Sequence, residues 1–100
     1  MYSDKLKRMI KVFDITGTTA IRQDLADRLY EILYLELRTS YQPTIVDFSG
    51  VDFALCLFLH VSIGRLYNQI PASVIERKLQ IVGMNENVAS VCDYCKEKWV

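Results

Sequence analysis

Two prolines and four glycines in one hundred residues are too few for a collagen-like, linker-rich or low-complexity chain. The glycines, Gly17, Gly50, Gly64 and Gly83, stand singly, so neither familiar Gly-rich phosphate loop is present and nucleotide binding has no local support. Net charge is also missing. Twelve basic residues balance twelve acidic ones, which leaves no overall field to draw the chain to nucleic acid or an anionic membrane. Lys5, Lys7, Arg8 and Lys11 cluster, but a short basic arm reads as a solvated terminus. Long apolar runs are absent as well. The longest uncharged stretch, Phe53 to Gly64, is far short of the roughly 20 residues of a spanning helix. Met9 to Ile15 is interrupted by Lys11 and Asp14 and lacks the h-region of a secretory signal, so a cytoplasmic location is expected. Three cysteines, Cys56, Cys92 and Cys95, are an odd number in such a chain, and reduced thiols are the expectation.

Apolar types make up 51% of the residues, enough to bury a real core, and the length suits one domain over residues 1–100. Met9 to Ile15 reads as a strand closed by Gly17. Thr18 and Thr19 offer N-cap hydroxyls for a helix from about Ala20 to Thr39, with Ile21, Leu25, Leu29, Ile32 and Leu33 on one face. Tyr30, Tyr34 and Leu37 widen that apolar arc. Thr44 to Phe48 reads as a central strand, buried between layers, and Ser49, Gly50 and Asp52 supply the turn into a second helix over Phe53 to Gln69. That helix is apolar almost all round in its first turns. Pro71 ends it, Lys78 to Met84 reads as a third strand, and Asn85 or Asn87 caps a third helix. The order βαβαβα predicts a small α/β domain with a mainly parallel sheet.

Cys92-Asp-Tyr-Cys95 has the spacing of a redox dithiol or half a zinc site. Both cysteines share a stripe with Val88, Val91 and Trp99, where a thiol behaves as a small hydrophobe, and the only other soft ligands are Cys56 and His60. Core packing is therefore the expectation, with no metal, cofactor or catalytic residue assigned. His60, the only histidine, lies in an apolar helix with no nucleophile or carboxylate at helical spacing, which suits a tucked-in or interface residue better than a general base. Val46 to Phe53 (VDFSGVDF) delivers a Ser-Gly turn at the carboxyl end of a strand, where open α/β sheets meet their ligands and partners, and it reads equally as a good strand-to-helix turn or as a functional edge.

VDFSGVDF followed by an apolar helix resembles the hallmark of STAS-like domains, relatives of the bacterial anti-sigma-factor antagonists. Ala20 to Ala26 (AIRQDLA) is similar to that family's Ser/Thr-Arg-x-x-Ala helix start, and Asn85 with Val88 to its Asn-x-x-Val. The resemblance implies a compact α/β sandwich that regulates by docking onto a protein partner, such as a histidine-kinase-like ATPase, through the loop before the second helix. In the antagonists an Asp-Ser-Ser-Gly motif there carries the phosphorylated Ser; the matching residues are Leu55, Cys56, Leu57 and Phe58, so Leu57 replaces the acceptor. Relatives commonly show Ser-Phe-Ala-Asp-Glu at this point; only Phe58 is kept, and His60 stands where the acidic residues would begin. The expected partner-binding residues are Ser49, Gly50, Asp52, Leu55, Leu57, Phe58 and His60. The alternatives are a redox or metal protein using Cys92 and Cys95, or a homo-oligomer, a dimer being simplest, closed by the apolar helix.

Overall fold

The computed structural model describes residues 8–39 and 42–99; Lys5 and Lys7 of the basic cluster lie outside them. Three parallel strands, β1 (Arg8–Lys11), β3 (Thr44–Asp47) and β5 (Leu79–Val82), form a sheet in the order β1–β3–β5. Ile10, Val46 and Ile81 pair across it in register, and Phe48 continues the β3–β5 ladder by donating its N–H to Val82 O at 2.8 Å. The central strand is not buried equally on both sides. Thr44 and Val46 are buried under the helices, whereas Ile45 and Asp47 are only partly covered on the face that also carries Met9 and Val82. The period-2 pleat lets one strand supply a core face and an open face together.

β1 stops at Lys11 and not at Ile15. Val12–Thr16 coil into a short helix, α1, that buries Val12 and closes when Gly17, at φ 76°, donates its N–H to Phe13 O at 2.8 Å. Burial of one residue here overrides the β propensity of the segment. The long helix α2 spans Gln23–Thr39 and does not begin at Ala20, because Thr19–Ala20 (β2) pair in parallel with Phe53–Ala54 (β4) as a second, two-stranded sheet. Its buried stripe is Ala26, Leu29, Leu33 and Leu37, at the three- and four-residue steps of one helix face. Leu25 and Ile32 are half-buried beside it, and Ile21, expected on that face, lies outside the helix and is exposed.

β4 also removes Phe53 and Ala54 from the second helix, which runs as α3 (Cys56–Leu59), a π-helical turn (His60–Gly64) and α4 (Leu66–Gln69). The wide turn is visible in Arg65 donating its N–H to His60 O at 2.8 Å, five residues back. It coincides with two local causes. Ser62 Oγ donates to Phe58 O at 2.7 Å, a back-bond that bends helices, and Gly64 lies against the Trp99 indole. Pro71 ends α4 as expected, but its fixed φ of −56° also starts an unforeseen helix, α5 (Ala72–Lys78), which runs directly into β5. The last helix, α6 (Glu86–Lys96), follows the sequence reading: Val88, Cys92 and Cys95 are buried, Trp99 extends the stripe, and Asn85 caps the helix.

The expectation of reduced thiols is corrected. Cys56, the first residue of α3, is disulfide-bonded to Cys95 in α6, across a Cα–Cα separation of 5.9 Å, while Cys92 is free and buried. Residues 39 apart in sequence are brought together by the packing of α3 on α6, which no local spacing reports. Among the described residues no helix is long and apolar enough to cross a membrane.

Candidate functional site

The loops at the carboxyl end of the parallel sheet are held by a small set of polar and glycine contacts. Asp47, last in β3, accepts the backbone N–H of Ser49 at 2.9 Å and also its hydroxyl. These Ser49 hydrogen bonds, helped by the Lys11 charge, hold the Asp47 carboxyl below its ordinary range. Gly83, at φ 78°, lies against this turn so closely that a Cβ would strike Asp47 Oδ1 and Ser49 Oγ. Gly50, at φ 89°, turns the chain beneath the Phe13 ring. The Asp-Phe-Ser-Gly segment is thus first a turn whose geometry needs an acceptor and a glycine.

Asn85 closes the loop from the other side. Its Oδ1 accepts Val88 N–H at 2.8 Å, capping α6, and its Nδ2 donates to Asp52 O at 3.1 Å and to Val51 O at 3.4 Å. The Asn-x-x-Val spacing is therefore a helix cap that also grips the VDFSGVDF loop. Asp52 and Phe53 donate their N–H groups to Thr18 O, and Leu55 donates to Ala20 O at 3.0 Å, extending the small sheet.

The register of that sheet decides what faces outward. Ala20 and Ala54 pair and are buried, so Thr19 with Phe53, and Ile21 with Leu55 one step further, fall on the opposite face. Phe53, Ile21 and Leu55 are 44%, 46% and 40% exposed, and Leu57 at 55% and Phe13 at 43% add to the apolar rim. Five large apolar side chains are thus exposed on α1, on the β2–β4 pair and its continuation, and at the start of α3. Ile21, Phe53 and Phe13 escaped the sequence reading, because their outward direction depends on β2–β4 pairing and on α1.

Of the expected site residues, Ser49, Gly50, Asp52, Leu55, Leu57 and His60 are exposed. Phe58 is corrected: it is 1% exposed and belongs to the core, because it turns inward from α3 where Leu57 turns outward. Leu59, the next residue of α3, is fully buried as well. Cys92 and Cys95 are core residues as the stripe predicted, although Cys95 bonds to Cys56 and burial pushes the Cys92 thiol pKa up. Among the described residues, no group of three or more His, Cys, Asp or Glu side chains is gathered for a metal ion.

The three-stranded parallel sheet, helices over one face and a polar turn at the strand ends define a small α/β domain of STAS-like architecture. Residues 26–89 match the family described as a STAS-like domain of unknown function (DUF4325), and the chain belongs to that family. The match runs from α2 into α6 and contains the Asp47–Asp52 turn, Leu57 and Asn85. No match is found among curated proteins or among solved structures.

Proposed function

We propose that this domain is a non-catalytic regulatory module of the cytoplasm that works by docking a protein partner against the apolar rim of Phe13, Ile21, Phe53, Leu55 and Leu57. The observation that supports this reading is the exposure of these five apolar side chains on α1, on the β2–β4 pair and its continuation, and at the start of α3, the segments that flank the turn at the strand ends where α/β domains meet their partners. Ser49, Gly50, Asp52 and His60, also exposed, are assigned to the same surface as its non-apolar positions. The resemblance to anti-sigma-factor antagonists supports a histidine-kinase-like ATPase as the partner class. Leu57, at the acceptor position and 55% exposed, presents a hydrocarbon where the antagonists carry a phosphorylatable hydroxyl, so docking here is not reversed by phosphorylation at that residue.

The test is calorimetric titration of the purified chain with a purified histidine-kinase-like ATPase from the same genome, beside Leu55→Asp and Leu57→Asp variants. Buried apolar anchors at an interface centre typically cost 2 kcal/mol or more when removed, so each variant should weaken binding by about 30-fold or more while its circular dichroism is unchanged. Equal affinity of all three proteins, or no complex with the wild type, would count against the proposal.

A further inference from the structure

We infer that the Cys56–Cys95 bond is a reversible thiol–disulfide clasp that sets how the start of α3, and with it Leu55 and Leu57, is presented. As regards docking, this rests on the function proposed above; as regards the thiol chemistry and the order of the segment, it stands by itself.

The first support is placement. Cys56 directly follows Leu55 and directly precedes Leu57, and it is the first residue of α3. The cap residue, Leu55, makes no side-chain hydrogen bond to the helix, and α3 is one turn long before the π-helical turn begins. A helix start of that kind has unsatisfied N–H groups and little to hold it locally. Phe58 and Leu59 anchor the far end of α3 in the core, and its first residues are tied down by the Leu55 N–H bond to Ala20 O on one side and the covalent link to α6 on the other. α6 thus holds the 52–56 segment at both of its ends, through Asn85 at the N-terminal end of α6 on Asp52 and through Cys95 near its C-terminal end on Cys56.

The second support is the unequal exposure of the cysteine residues. Cys56 is half-buried, whereas Cys95 is 0% exposed and Cys92 is 2% exposed. An external thiolate therefore reaches the Cys56 sulfur first, forming a mixed disulfide there and expelling Cys95 as the leaving thiolate. A dithiol reductant completes the step. Its second thiolate attacks its own sulfur in the mixed disulfide and releases Cys56, and the two protons it loses go to the Cys56 and Cys95 thiolates. Two electrons pass to the protein, and the reductant leaves as a cyclic disulfide. Closure runs in reverse through a low-molecular-weight disulfide, which takes the two electrons and departs as two thiols. Cys92 is free and buried while Cys56 and Cys95 are brought within bonding reach, so Cys56 with Cys95 is the pair that forms, not the CxxC pair.

The experiment uses the full chain, equilibrated with oxidised and with reduced dithiothreitol, alkylated and digested, with hydrogen exchange followed in both states. The oxidised protein should carry one alkylated cysteine, Cys92, and a cross-linked Cys56–Cys95 peptide; the reduced protein should carry three. Amides of residues 53–60 should exchange at least about tenfold faster in the reduced state, with the β1–β3–β5 sheet unaltered. Cys56→Ser should show the fast exchange under both conditions, and Cys92→Ser should behave as the wild type. A Cys92–Cys95 disulfide, no disulfide under oxidation, or equal exchange of residues 53–60 in the two states overturns the clasp. If exchange responds to reduction while Leu57→Asp still binds the ATPase normally, the clasp stands and the proposed docking surface fails.

Discussion

Gly64→Ala is the substitution in which sequence and structure predict opposite signs. In the middle of a helical segment, alanine is favoured over glycine by about 0.5–1 kcal/mol. Gly64 does not have a positive φ, so no backbone strain opposes the change. The obstacle is steric. An added Cβ would sit 2.6 Å from Trp99 Nε1, 2.7 Å from Cδ1 and 2.9 Å from Cε2, inside the distance real Cβ contacts show. The indole cannot step aside freely, because it is 7% exposed and packs against Tyr67 with ring centroids 5.8 Å apart. Overpacking of this kind costs about 1–3 kcal/mol, and displacing a buried tryptophan costs more, so the steric cost exceeds the propensity gain. The expected outcome is a net loss of about 1–2 kcal/mol, seen as a fall in Tm of roughly 4–8 °C per kcal/mol for a domain of this size. Trp99 is the only tryptophan, so its fluorescence reports both unfolding by urea and any movement of the ring. In a Trp99→Phe background the smaller ring should accommodate the methyl, and the cost of Gly64→Ala should shrink. A variant as stable as the wild type, or more stable, with unshifted emission would refute the close packing of the π-helical turn on Trp99.

Asn85→Ala removes the α6 cap and the grip on Val51 and Asp52 together, and should cost about 1–2 kcal/mol in urea unfolding, with faster amide exchange in residues 50–55. Phe58→Ala should cost about 3–5 kcal/mol because the ring is a core residue, whereas Leu57→Ala should stay within about 0.5 kcal/mol; similar costs for the two would contradict their assigned directions. Asp47 has its pKa lowered in the folded state, so its charge contributes stability that is present above the unfolded value near 4 and is lost as pH falls through the lower folded value. The stability gap between wild type and Asp47→Asn should therefore be steady from pH 7 to about 5 and close below about 4; a gap that widens on acidification would reverse the assigned sign.

Much of the core is written in local patterns. Thr44–Asp47, Leu79–Val82 and the α6 stripe of Val88, Cys92, Cys95 and Trp99 are legible because each depends on a period of two or 3.6 and on a cap within a few residues. The same locality made Asn85 readable as a cap and the VDFSGVDF turn readable as the place to look. It could not show that Thr19–Ala20 and Phe53–Ala54 pair across more than thirty residues, which delayed α2, shortened the second helix and turned Phe53, Ile21 and Leu55 outward. Cys56 joining Cys95, Phe58 turning inward and Gly64 lying under Trp99 are equally non-local. Amino-acid types at short spacing determine which segments are helix or strand and which face of each is apolar. Which of those faces is covered, and which remains as a rim, is decided only when distant segments pack and compete for the same core.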